Sequence, residues 1–199
     1  MQFKYSIFLF ICSIVFILAA CDLNYTPEPY TGVSGIVRDK TTGECIPNAT
    51  IYLLESGDSP GAGYYYKDSL VTDVYGNFEF EFEKIIGYSY ALLANKEHYI
   101  ESTGLTFIQY GEIKDVLLSP EGYIKLHVQN ILPSEPWDQL GINGPFTAHF
   151  YGNEIDSLMT FQINGNTNIV IYWGLNGVAV NTDTIYCPAF DTTYYELLY

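Results

Sequence analysis

From Phe78 to Glu83 the chain alternates phenylalanine and glutamate without a break. Successive side chains on a strand point to opposite faces, so Phe78, Phe80 and Phe82 share one face and Glu79, Glu81 and Glu83 the other. A helix would scatter the same phenylalanines around its surface. The pattern therefore demands a half-buried strand, and it recurs. Ile124, Leu126 and Val128 alternate with Lys125, His127 and Gln129. Phe146, Ala148 and Phe150 alternate with Thr147 and His149, and Met159, Phe161 and Ile163 with Thr160 and Gln162. Apolar runs at 51–54, 88–94 and 168–175 suit buried strands, and 116–118, 178–187 and 192–199 supply further ones. Turn signals separate them: Thr42-Gly43, Ser59-Pro60-Gly61, Tyr75-Gly76-Asn77, Gly152-Asn153, Asn164-Gly165-Asn166 and Asn176-Gly177. No helical period of useful length is present. The expected class is all-β, with two tandem β-sandwiches over 32–119 and 120–199 and a short hinge at 118–122.

Charge excludes one class of partner. Lys+Arg number 8 against 23 Asp+Glu, a formal net charge of -15, so nucleic-acid phosphates would be repelled rather than neutralised. Arg38 is the only arginine, which rules out an arginine cluster for phosphate. With 48% hydrophobic and 17% aromatic residues, the chain has ample surface to bury and is not a disordered one.

The N-terminus reads as an address. Lys4 precedes an uncharged run over 7–20, which is shorter than the ~20 apolar residues that span a membrane. It ends in Leu18-Ala19-Ala20-Cys21, small residues before a cysteine. This ending resembles the lipobox of bacterial lipoproteins. The resemblance implies a signal peptide over 1–20 and a mature N-terminus at Cys21 carrying diacylglycerol and fatty acyl chains such as palmitate. Residues 21–31, with Pro27 and Pro29, read as a tether reaching roughly 33 Å when extended. The implied location is the cell envelope of a Gram-negative-type bacterium, on the outer membrane or cell surface. Asp22 resembles an inner-membrane retention signal of some bacteria, which keeps that membrane open as an alternative.

Residues 35–39 (Gly-Ile-Val-Arg-Asp), then Thr42-Gly43, then 46–53 resemble the opening of the carboxypeptidase regulatory-like domain. Its second signature stands here as Thr72-Asp73-Val74-Tyr75-Gly76-Asn77-Phe78-Glu79-Phe80, and a strand leading to Lys96 and Tyr99 matches the third. The resemblance covers about 90 residues. It implies a transthyretin-like (prealbumin-like) sandwich acting as an accessory or binding module. Cys45 and the insert at Tyr64-Tyr65-Tyr66 depart from the family pattern. For the second sandwich an immunoglobulin-like or fibronectin-like topology is expected.

No HExxH, Walker loop or EF-hand loop occurs in the sequence, and Gly32-Val33-Ser34-Gly35 at a strand start is not a GxSxG elbow. No enzyme activity, cofactor or metal is expected. Two readings fit His127 and His149: solvated strand-face residues, or a metal pair formed across neighbouring strands. Glu79, Glu81 and Glu83 read as a solubilising row that also guards a strand edge. Cys45 and Cys187 are either a disulfide or two separate buried thiols. Asp68-Ser69-Leu70, Asp156-Ser157-Leu158, Asp183-Thr184-Ile185 and Asp191-Thr192-Thr193 resemble the O-glycosylation sequon of some envelope proteins. Candidate ligand-binding residues are Tyr64, Tyr65 and Tyr66, in a Gly- and Pro-flanked loop, and Trp137, in a loop with Pro133, Pro136 and Pro145. Such aromatics either make stacking platforms for sugars or proteins or pack onto the sandwich. The expected function is a non-enzymatic envelope lipoprotein that binds a glycan or an envelope protein. The alternatives are a structural spacer or subunit of a transport or fimbria-like assembly, and an unrecognised hydrolase.

Overall fold

The computed structural model describes residues 30–199 except 58, 60, 102, 103, 110, 132 and 133. The expected signal peptide, Cys21 and the expected tether up to residue 29 lie outside the described residues; residues 30 and 31, read from sequence as the end of that tether, instead begin the first strand, where they pair with the strand at 77–83. Every regular element among the described residues is a β-strand, so the chain is all-β as expected.

The first sandwich uses β1 (Tyr30–Asp39), β2 (Thr50–Ser56), β3 (Tyr65–Val71), β4 (Asn77–Glu83), β5 (Ser89–Asn95) and β7 (Thr106–Ile108). Two short strands, β6 (Tyr99–Ile100) and β8 (Glu112–Ile113), and the start of β9 (Val116–Gln129) complete it. The second sandwich uses the rest of β9 with β10 (Gln139–Asn143), β11 (Ala148–Tyr151), β12 (Asp156–Asn164), β13 (Thr167–Leu175), β14 (Val178–Cys187) and β15 (Thr192–Leu198).

One pairing scheme serves both. In the first sandwich the opening strand β1 pairs β4 antiparallel and the closing strand β9 in parallel. In the second, the opening strand β9 pairs β12 antiparallel and the closing strand β15 in parallel. The facing sheets run β3-β2-β5-β7 and β11-β10-β13-β14, all antiparallel. β9 closes one sandwich and opens the other.

Burial alternates along all of β9, with every even-numbered residue from Val116 to Val128 buried. Val116 and Leu118 belong to the first core, with Ile51, Leu53, Phe78, Phe80 and Leu92. Ile124, Leu126 and Val128 belong to the second, with Leu140, Ile142 and Ile171. Residues 118–122, read from sequence as a hinge, lie inside this strand. Pro120 and Gly122 look like chain breakers, but each has a local reason to stand here. Pro120 has no N–H to offer a ladder, and its carbonyl accepts from Gly165 N at 2.8 Å. A Cβ on Gly122 would come within 2.9 Å of the Pro188 carbonyl oxygen, so the glycine admits a crossing chain.

Further contacts hold the two sandwiches together. Asn166 Nδ2 donates to Thr41 Oγ1 at 3.1 Å, and Glu121 N to the His98 carbonyl at 2.9 Å. The rings of Tyr99 and Phe190 meet edge-on at 5.4 Å.

The motif residues of the first sandwich act as fold determinants. Gly35 lies so close to the Lys114 carbonyl oxygen that a Cβ would sit 2.0 Å from it. Asp39 accepts from Thr41 N, Thr41 Oγ1 and Thr42 N, which shapes the Thr42-Gly43 turn, and from the Tyr99 hydroxyl at 3.3 Å. Burial pushes the Asp39 carboxyl up, but the bonds from Thr41, Thr42 and Tyr99 outweigh it and hold it below the usual carboxylate value. Burial and the Asp39 charge push the Tyr99 hydroxyl up to about 12. Asp73 accepts from Tyr75 N and Asn77 N, both at 2.8 Å, and so launches the phenylalanine strand.

Candidate functional site

The outer faces of the two four-stranded sheets carry the exposed aromatic residues. On the first, Leu54 pairs Tyr66 on one side and Ala91 on the other, and Ala91 pairs Phe107. Leu54 and Ala91 are buried although they stand outside the inner core cluster. Aromatic rings gather over this face: Tyr66 meets Tyr52 edge-on at 5.1 Å, and Tyr64 meets Phe107 at 5.8 Å. The loop before β3 folds back, with Ser56 Oγ donating to the Ala62 carbonyl at 3.2 Å. Of the predicted tyrosines, Tyr64 is half-buried and lines a shallow depression with Tyr88 and Phe107, while Tyr65 and Tyr66 begin β3 and are 67% and 68% exposed. Tyr52 and Phe107 join the cluster only through strand pairing.

On the second sandwich the corresponding row is hollow. Gly141 on β10 pairs His149 on β11 and Gly174 on β13. Leu140 and Ile142 point into the core on either side of Gly141 and anchor the floor. The result is a mostly apolar groove of about 200 Å³, with Gln139, Asn143, His149, Tyr172 and Val178 around the two glycines. Gln139 Nε2 donates to the Tyr151 hydroxyl at 3.2 Å. A Cβ on Gly141 would meet its nearest neighbour, the His149 ring, at an ordinary 3.7 Å. Gly141 also needs no positive φ. Neither packing nor backbone conformation therefore requires a glycine there. Sequence reasoning missed this groove. The available signal was a glycine between Leu140 and Ile142, since glycine within a strand marks close approach of a ligand or another chain.

Below the groove, Trp173 Nε1 and the Tyr195 hydroxyl both donate to Asp183 Oδ2, at 2.8 and 2.7 Å. Burial, reinforced by that carboxylate, pushes the Tyr195 hydroxyl well above its ordinary value. Trp137 stands 75% exposed on the turn leading into β10. Asp138 fixes that turn by accepting from Asn176 Nδ2 at 2.9 Å and Glu135 N at 2.8 Å, and these bonds hold its carboxyl below the usual range. Asn176 Oδ1 in turn accepts from Gln139 N at 3.0 Å, tying the turn to the groove's end.

The structure does not bring His127 and His149 together. His127 lies on β9, with its ring between Asp156 of β12 (Nε2 to Oδ1 2.7 Å) and Glu196 of β15 (Nδ1 to Oε1 3.1 Å). The Tyr194 hydroxyl lies 3.0 Å from Nδ1. The hydrogen bonds to Asp156, then Glu196, raise the His127 value. His149 lies on β11, in the other sheet of that sandwich. Among the described residues, no group of three or more His, Cys, Asp and Glu side chains is arranged to hold a metal ion. Glu79, Glu81 and Glu83 lie exposed along β4, which among the described residues pairs in the sheet with β1 alone. Cys45 and Cys187 are both free thiols; Cys187 is buried, whereas Cys45 is exposed beside Arg38.

No family model matches the sequence, and no curated protein matches it. Solved structures that resemble this chain in part include the C-terminal domain of the shaft pilin SpaA from Lactobacillus rhamnosus GG, at 13% identity and a TM-score of 0.36, covering 47% of this chain and 99% of that one. The minor pilin GBS52 of Streptococcus agalactiae has 10% identity and a TM-score of 0.36, covering 84% and 94%. A DUF3823 family protein from Bacteroides uniformis has 12% identity and a TM-score of 0.30, covering 80% and 100%. At such identities and TM-scores the likeness does not extend to function.

Proposed function

We propose that this chain is a non-enzymatic lipoprotein of the bacterial envelope that binds a ligand or partner protein outside the membrane. The observation that carries this reading is the hollow row of the second sandwich, an open groove whose floor glycine the fold does not need. The lipobox-like run ending at Cys21 supplies the anchor, because each buried lipid CH₂ contributes ~0.8 kcal/mol and two or three chains hold firmly where one does not. The residues after it space the sandwiches from the headgroups. The test is a binding screen of the full chain against glycans and envelope proteins. Saturable binding to at least one is expected, and folded protein that binds nothing overturns the reading. Labelling with an alkyne analogue of palmitate checks the anchor separately: label is expected on the wild-type chain and absent from Cys21→Ala.

A second reading, a spacer or subunit of a surface assembly, draws on the continuity of β9. A strand shared by two cores makes a stiff two-sandwich unit suited to bearing or transmitting load. Cross-linking in native membranes then yields discrete partner bands, and a solitary monomer contradicts it.

A further inference from the structure

We infer that the groove over Gly141 and Gly174 takes one uncharged sugar ring of a glycan. This rests on the binding-module reading and adds the ligand's chemistry.

The space itself is the first observation. Sheet faces ordinarily carry side chains, and glycine within a strand costs stability. Two glycines stand paired at the centre of this sheet, and Gly141 has room for a side chain at ordinary contact distance. Only an occupant gives that room a use.

The lining chemistry narrows the occupant. No carboxylate, ammonium or guanidinium lines the groove, in a chain with 23 acidic side chains. A cationic ligand would find no partner there, and the chain's net charge of -15 would repel an anionic one. The polar groups that converge on it are the amides of Gln139 and Asn143 and the imidazole of His149. Tyr172, 51% exposed, supplies an aromatic wall, and Tyr151, 67% exposed, stands beside Gln139. A pyranose has an apolar C–H face that lies against an aromatic ring and a rim of hydroxyls that pair with amides, which is the combination these walls offer. About 200 Å³ is room for a small ring rather than a drug-sized ligand. An extended peptide fits less well. It gains affinity by adding to a sheet edge with unpaired backbone groups, whereas the floor strands β10 and β13 lie mid-sheet and are already paired with each other.

The experiment uses the full chain in a detergent without a sugar headgroup, carrying Trp137→Phe. Trp173, which lines the groove, then remains the single tryptophan of the original two. The probes are neutral oligosaccharides ending in glucose, galactose, mannose or N-acetylglucosamine. Sialylated and sulfated glycans and a decapeptide library form parallel arms. The expected result is a saturable change in Trp173 emission with at least one neutral oligosaccharide. Gly141→Val and Tyr172→Ala each weaken it about tenfold or more, and Tyr75→Ala, at an exposed turn of the first sandwich, leaves it unchanged. Should Gly141→Val fail to fold, Tyr172→Ala carries the test alone. Binding that survives the groove variants overturns the inference, as does tighter groove binding of an anionic glycan or a peptide; in both cases the binding-module reading stands. If no probe binds, the sugar inference fails, and the binding-module reading fails only if the wider envelope-protein screen is also empty.

Discussion

Across the outer face of β3-β2-β5-β7 runs the row Tyr66, Leu54, Ala91, Phe107; across β11-β10-β13 the corresponding row is His149, Gly141, Gly174. The strands pair in the same order and direction in both sandwiches, yet one row is filled at its centre and the other is empty. Pairing depends on backbone groups and on the inward faces, which both halves supply with the same alternation. The outward face lies outside that constraint and differs between the halves. Glycine also has two distinct uses here. Gly35 is required, because a Cβ there would sit 2.0 Å from a backbone oxygen. Gly141 is not, because its nearest neighbour would be 3.7 Å away.

Replacing the required glycine has the largest expected effect. Gly35→Ala forces β1 away from Lys114 and costs about 3 kcal/mol, read as a lower urea midpoint. An unchanged midpoint would remove the distinction between the two glycines. Hollowing the filled row comes next: Leu54→Ala costs about 2 kcal/mol, because the buried side chain leaves a cavity under the aromatic rings. A cost near zero would mean that the first face is no more filled than the second.

The two halves also separate by pH. Asp39 has a lowered folded-state value, so its contribution is present above the unfolded value of about 3.9 and is lost as pH falls through the folded one. His127 has a raised value, so its contribution is full below the unfolded value of about 6.5 and is lost as pH rises through the folded one. Acid therefore weakens the first sandwich at Asp39, and mild alkali weakens the second at His127. In thermal melts, the advantage of wild type over Asp39→Asn shrinks toward low pH, and its advantage over His127→Gln shrinks above neutrality. The same pH dependence for both variants would contradict the assignment.

The inward faces were legible because burial writes a period of two into the sequence. Phe78, Phe80 and Phe82 are buried on β4, and Ile124, Leu126 and Val128 on β9. The local turn chemistry of Asp73 was readable as well, because it acts on Tyr75 and Asn77, two and four positions away. Two features were not. Pro120 and Gly122 punctuate the sequence as a hinge would, and only their contacts with Gly165 and Pro188, more than forty positions on, show why a strand runs through them. Gly141 and Gly174 are likewise distant in sequence and become neighbours only once β10 pairs β13. Of the site, the tyrosine loop could be seen in advance, but Phe107 and Tyr52 beside it could not.

The most direct measurement is the melting temperature of Gly141→Val set beside that of Gly35→Ala in the full chain. If the hollow row is space the fold does not need, Gly141→Val melts at or slightly above wild type, since a β-branched residue replaces glycine within a strand for a gain of up to about 0.5 kcal/mol. Gly35→Ala melts well below. A Gly141→Val protein destabilised as much as Gly35→Ala would show that the glycine serves packing and would contradict the account.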